Sequence, residues 1–151
     1  MTVLDVEVVK AVMAPVRVDF VRRVLQHAVK VPELQARLPA GESTVAVRIT
    51  NDAEMAVFNR TYADLPRATD VLSFAGVSPH IGDIAISWPA VERQAKRYRH
   101  EARTEFALLA VHGLIHLLGW DHATAAERRE MTRLTVAALG RSRIILAPER
   151  L

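Results

Sequence analysis

Between Val3 and Val9 the chain reads VLDVEVV, β-branched and partly alternating, which predicts a strand. From Asp19 to Val29, residues Phe20, Val21, Val24, Leu25 and Ala28 recur at helical spacing and predict one apolar helix face, with Asp19 as its N-cap. TVAVRIT sets Val45, Val47 and Ile49 on one side of a second strand, after which Asn51 or Asp52 caps a helix through Met55, Val57 and Phe58 towards Tyr62. VLSFA (71–75) and DIAIS (83–87) read as two further short strands, separated by GVSPHIG, whose glycines and proline mark an irregular connection. Pro89 suits the first turn of a helix through VERQAKRYR, and an apolar helix is expected over Thr104 to Leu118. TAAE (Thr124 to Glu127) carries the capping-box pattern ahead of a last helix ending at Gly140. Helices interleaved with about four short strands predict an α+β fold, a small mixed β-sheet packed with helices. No repeat, low-complexity run or linker divides the chain, so residues 1–151 are expected to form a single domain.

Composition restricts the chemistry more than the fold. With no cysteine there is neither a disulfide framework nor a thiolate metal site, so any metal must sit on His, Asp or Glu. The start, MTVLDVEVVK, lacks a basic segment followed by a long apolar one, and no stretch reaches the roughly 18 to 20 apolar residues of a membrane span, so a soluble cytoplasmic protein with no membrane partner is expected. A formal charge of +3, carried mostly by arginine, makes nucleic acid a plausible partner through bidentate phosphate contacts.

The specific signal is HGLIHLLGWDH, His112 to His122, which holds three of the six histidines. In EFALLAVHGLIHLLG apolar side chains run almost all round the helix, as in a helix buried in a core. His112 and His116, four apart, share one face of it, so their imidazoles can converge on one ion. Gly119 stands where a helix commonly ends in a left-handed turn, which can bring His122 to the same ion. The expectation is one Zn2+ per chain on His112, His116 and His122, held by a buried helix and the turn after it, with a fourth position left open as in catalytic rather than structural sites. The spacing is that of the zinc-protease signature HExxHxxGxxH, but Gly113 stands in place of the glutamate that serves as base, which argues against peptide hydrolysis by that route.

These residues resemble the H-G-x-L-H-L-x-G-[YW]-D-H signature of the YbeY-type family, bacterial zinc-dependent single-strand endoribonucleases of ribosomal RNA maturation and ribosome quality control, with Ile115 as a soft mismatch. Upstream, FNRTYADLPRATDVLSFA (Phe58 to Ala75) resembles the family's LNxxYRxxxxPTDVLSF, and IGDIAIS (Ile81 to Ser87) its LGDIxIs segment, in the same order. The resemblance implies a metal-dependent endoribonuclease acting on single-stranded RNA at the 3′ end of 16S rRNA, with the ribosome or ribosomal proteins as partners. An alternative is a ribosome-assembly or RNA-binding factor in which zinc is structural and catalysis weak. One departure bears on mechanism: the family's phosphate-contacting arginine aligns with Ala63, and the proline before its TDVLSF segment with Ala68. Arg60, nearly one helical turn before Ala63, and Arg67, in the following loop, are the candidates to replace it.

Asp121 can hydrogen-bond a ligand imidazole, act as acid or base for the bound water, or simply form the turn after Gly119; the resemblance favours the functional role and, with Arg60, makes Asp121 the expected catalytic residue. Thr69, Asp70 and Ser73 either hold the sheet edge near the metal or cap a turn before the strand. The basic run Glu92 to Arg103, with Tyr98 as a stacking surface, and Arg141 and Arg143 beyond the last helix, are either RNA contacts or solvated surface.

Overall fold

The computed structural model describes residues 3–63 and 69–151. Four strands form one mixed sheet in the order β1-β2-β4-β3, with β1 (Val3–Lys10), β2 (Glu42–Thr50), β3 (Val71–Ala75) and β4 (His80–Ser87). β1 pairs parallel with β2 and β2 parallel with β4, whereas β3 runs antiparallel to β4, with Val71 opposite Ile86 and Ala75 opposite Gly82. Alternation sorts the two faces. Leu4 and Val6, Val45, Val47 and Ile49, and Ile84 and Ile86 are fully or nearly fully buried and join one core with Leu25, Phe106, Leu114 and Leu134.

Helices α1 (Val18–Ala28) and α5 (Ala102–Leu117) cover that face, with α4 (Trp88–Tyr98) and α6 (Ala125–Gly140) packed on α5. The α+β architecture and the mixed four-stranded sheet are as expected; several boundaries differ. The N-cap of α1 is Arg17, not Asp19, which lies in the first turn and acts there on the positive helix end. Strand β4 begins at His80, so the irregular connection shortens to 76–79. Pro89 is the second residue of α4, whose N-cap is Ser87; its hydroxyl accepts from the Ala90 N–H. Asn51 caps α3 (Asp52–Phe58), and a π-helical turn, Asn59–Ala63, continues it. The capping box of α6 is present on Thr124 and Glu127.

Pattern reading missed α2 (Pro32–Arg37), a six-residue helix that buries only Leu34. Six residues hold too few repeats for a periodic signal, and only the proline in its first turn marks it. Helix α5 is apolar on all sides because sheet, α1, α4 and α6 surround most of it; every residue from Glu105 to Val111 is buried. Glu105, two turns before His112, is the one fully buried carboxylate among the described residues. Its oxygens accept from Arg150 Nε and Nη2 at 2.9 and 2.8 Å, and lie 2.8 Å from His100 Nε2. The Ala147 N–H donates to His100 Nδ1, so the segment after α6 is fastened to this buried charge.

Candidate metal centre

His112 and His116 project from the last two turns of α5, and His122 returns to them after the helix has ended. The return depends on how α5 stops. The Gly119 N–H donates to the His116 carbonyl and the Trp120 N–H to the Ile115 carbonyl, with Gly119 at φ 107°, a Schellman-type ending that glycine adopts at least cost. The three rings then face one another, with centroids 4.8 Å apart for His112 and His116, 4.7 Å for His116 and His122, and 5.7 Å for His112 and His122. One ring nitrogen from each lies within 4.8 Å of the others. Tetrahedral coordination with Zn–N bonds of about 2.0–2.1 Å sets ligand nitrogens about 3.4 Å apart, so small side-chain rotations suffice to close the triad on an ion.

Electrostatics favour the same use. Burial, with the neighbouring His116 and His122 imidazoles adding to it, pushes His112 down to about 4, and burial followed by His122 lowers His116. Both rings are therefore neutral near pH 7, the form that ligates metal. They are half-buried rather than fully enclosed, because this side of α5 opens on a cleft of about 490 Å3 whose walls include Thr69, Asp70, Ser73 and the three histidines. Gly113 explains why the helix can lie here. A Cβ at that position would come 2.8 Å from Ile84 Cγ2 and 3.1 Å from Ser73 Oγ, and the Ser73 hydroxyl donates to the Gly113 carbonyl at 3.2 Å. The residue that replaces a protease glutamate is thus a contact point between α5 and the sheet.

Asp121 accepts a hydrogen bond from the His122 N–H at 2.7 Å, and the same oxygen is 3.7 Å from His122 Nδ1. Arg60 is exposed on the π-helical turn and does not line the cleft, while Arg67 and Ala68 lie outside the described residues. Tyr98 is not an open stacking surface: the Arg150 guanidinium lies 4.6 Å from its ring centre and that of Arg97 5.4 Å. Arg93 of the same run is paired with Asp52 at 2.8 Å.

One residue already named from its motif, Asp70, gains a defined setting, and one that the sequence did not mark, Arg37, joins the site. Asp70 lines the cleft, and burial is the largest cause raising its carboxyl above the usual carboxylate range. Arg37, on the helix that periodicity missed, lies 3.6 Å from the Trp120 ring centre and donates from Nη1 to the Leu118 carbonyl at 3.3 Å. It pins the turn between His116 and His122. No local signal marks Arg37, since the contact spans 81 positions.

Comparison with known proteins agrees with this geometry. Residues 10–142 match the family model described as Endoribonuclease YbeY. A protein of that name from Roseiflexus castenholzii is 36% identical, over 93% of this chain and 94% of its own length. Another, from Moorella thermoacetica, is 43% identical over 61% of this chain and 68% of its own. The solution structure of TM1509 from Thermotoga maritima superposes with a TM-score of 0.60, covering 92% of each chain at 18% identity, a likeness of fold. Among the described residues, no helix is long and apolar enough to cross a membrane.

Proposed function

We infer, from the premise that the chain belongs to the YbeY endoribonuclease family, that it hydrolyses phosphodiester bonds of single-stranded RNA at a zinc ion held by His112, His116 and His122. The observation that carries this reading is the convergence of three imidazoles on the wall of an open cleft, next to a glycine that leaves no room for a protease base. Zinc, when bound, supplies Lewis acidity towards the scissile phosphate and lowers the pKa of water to near neutrality. The chain supplies the rest. Burial keeps His112 and His116 unprotonated, and Arg37 and Asp121 hold the turn that presents His122. Asp121, beside His122, and Asp70, a carboxyl in the wall of the same cleft whose pKa burial raises, are the groups assigned to move protons between the attacking water and the departing ribose oxygen. Arg60 takes up phosphate charge as the strand enters, in place of the arginine that Ala63 lacks.

The substrate is assigned to ribosomal RNA, as the 3′ end of 16S rRNA during late maturation, with the ribosome or its proteins as partners, in the cytoplasm, and with residues 1–151 as one catalytic domain. His122→Ala is the discriminating variant, because the residue lies beyond α5 and outside the core. Wild type is expected to contain one zinc per chain and to cut unstructured RNA until a chelator is added, while the variant stays folded, loses zinc and does not cut. Peptides should remain intact with both. Zinc-loaded wild type that binds RNA without cutting it would instead favour the assembly-factor reading, to which Ala63 lends support.

A further inference from the structure

Away from the metal, the loop after α6 meets the start of α5 and one face of α1 around a recess of about 390 Å3. Three arginines from separate parts of the chain line it: Arg23 of α1, Arg103 of α5 and Arg143 of the loop. The acidic group beside them, Glu101, is neutralised by Arg103 at 3.0 Å. Among the described residues neither Arg23 nor Arg143 has an ion-pair partner, and both are exposed. His27 and Ser142, whose Nδ1 and Oγ are 3.3 Å apart, join α1 to the loop across the recess. Phe20, half-buried at its rim, lies under the Arg103 guanidinium at 5.8 Å.

The backbone at Arg143 supplies a second, independent observation. The Arg143 N–H donates to the Gly140 carbonyl and the Ile144 N–H to the Leu139 carbonyl, the ending that α5 also uses. In α5 the left-handed position is Gly119; here it is Arg143, at φ 57°. Glycine would adopt this conformation at lower cost, so a guanidinium is carried at a position where local stability favours having no side chain.

We propose that this recess is a second RNA-binding site, in which Arg23 and Arg143, flanked by the Arg103–Glu101 pair, hold the backbone phosphate of a single strand, remote from the cleft where the strand is cut. Guanidiniums suit this role because their forked donors match phosphate oxygens, and a positively charged groove that tracks the backbone is the usual chemistry of sequence-tolerant single-strand binding. Thr104 is eight residues before His112, about 12 Å along the helix axis, so α5 runs rigidly from one site to the other. A strand that engages both is held at two points, which raises its effective concentration at the metal without a new contact there. The inference rests on the reading of the protein as an RNA enzyme.

The test uses full-length zinc-loaded protein, a labelled unstructured RNA, and the variants Arg143→Gly and Arg23→Ala, with anisotropy read over a series of salt concentrations. Each variant should weaken binding about three- to tenfold and reduce the slope of log affinity against log salt by about 0.7, with zinc content unchanged. Arg143→Gly should at the same time keep or raise the melting temperature, which separates lost binding from lost folding. If wild type binds no RNA, the functional reading itself fails and this inference with it. If wild type binds and both variants match it in affinity and salt slope, the functional reading stands and the second site is overturned. If the variants lose affinity for inorganic phosphate but not for RNA, the recess is a site for free anions and the proposal is also overturned.

Discussion

A methyl group added at Gly113 would lie 2.8 Å from Ile84 and 3.1 Å from Ser73 Oγ, and neither neighbour is free to retreat, since Ile84 is fully buried and Ser73 is bonded to the Gly113 carbonyl. Overpacking of a well-filled contact typically costs about 1–3 kcal/mol. Gly113→Ala is therefore expected to lower stability by about that amount in urea denaturation, and Gly113→Glu by more, with no peptidase activity gained. A stable Gly113→Glu protein that cut peptides would show that the glycine had only removed a base. The sequence revealed that this position lacks the protease glutamate; it could not reveal that β3 and β4 need the space, because that contact joins residues 40 apart. The three histidines were legible since their spacing is local. Asp70 was only half legible: its motif was visible, but the burial that raises its carboxyl depends on the packing of the folded chain.

Among the elements, those long enough to repeat their pattern were read well. Strands β1 and β2, and helices α1, α5 and α6, fall within a few residues of expectation, because alternation or a 3.6-residue period was sustained across them. The short α2 was lost, and with it the support for the metal turn. Arg37 combines a ring contact and a carbonyl hydrogen bond across the end of α5, where a cation also complements the helix dipole. Such a contact is worth about 1–2 kcal/mol, so Arg37→Ala should weaken zinc binding about five- to thirtyfold in competition with a chromophoric chelator. Helix content should barely change. Equal zinc affinity in the variant would mean that Gly119 and Asp121 fix the turn unaided.

Across the whole molecule, one core on one face of the sheet carries α5, and α5 carries two of the three candidate metal ligands, His112 and His116, as well as the buried Glu105. Removing one partner of a buried pair typically costs about 3–5 kcal/mol, because the remaining charge is left in a poor solvent. Truncation after Ala147 takes away Arg150 while sparing every metal ligand and most of the core. It should lower stability by about 3 kcal/mol, read as a fall in urea midpoint, and a second deletion that retains an arginine at the position of Arg150 should recover most of the loss. An unchanged midpoint after truncation would assign the compensation of Glu105 to His100 alone. The mixed sheet and α+β class were legible from the order of elements, but this clamp was not, since nothing in a lone Glu105 or Arg150 marks them as partners.

The clamp also has a clock in it. Arg150 follows Glu105 by 45 positions, and a ribosome adds about 5–20 residues each second. For roughly two to nine seconds of every synthesis, the helix that carries His112 and His116 therefore exists without the cation that its inner carboxylate needs. Until then the core has reason to stay loose around Glu105, and the histidine triad has reason to stay open. The nuclease is thus completed some seconds after its central helix has been made.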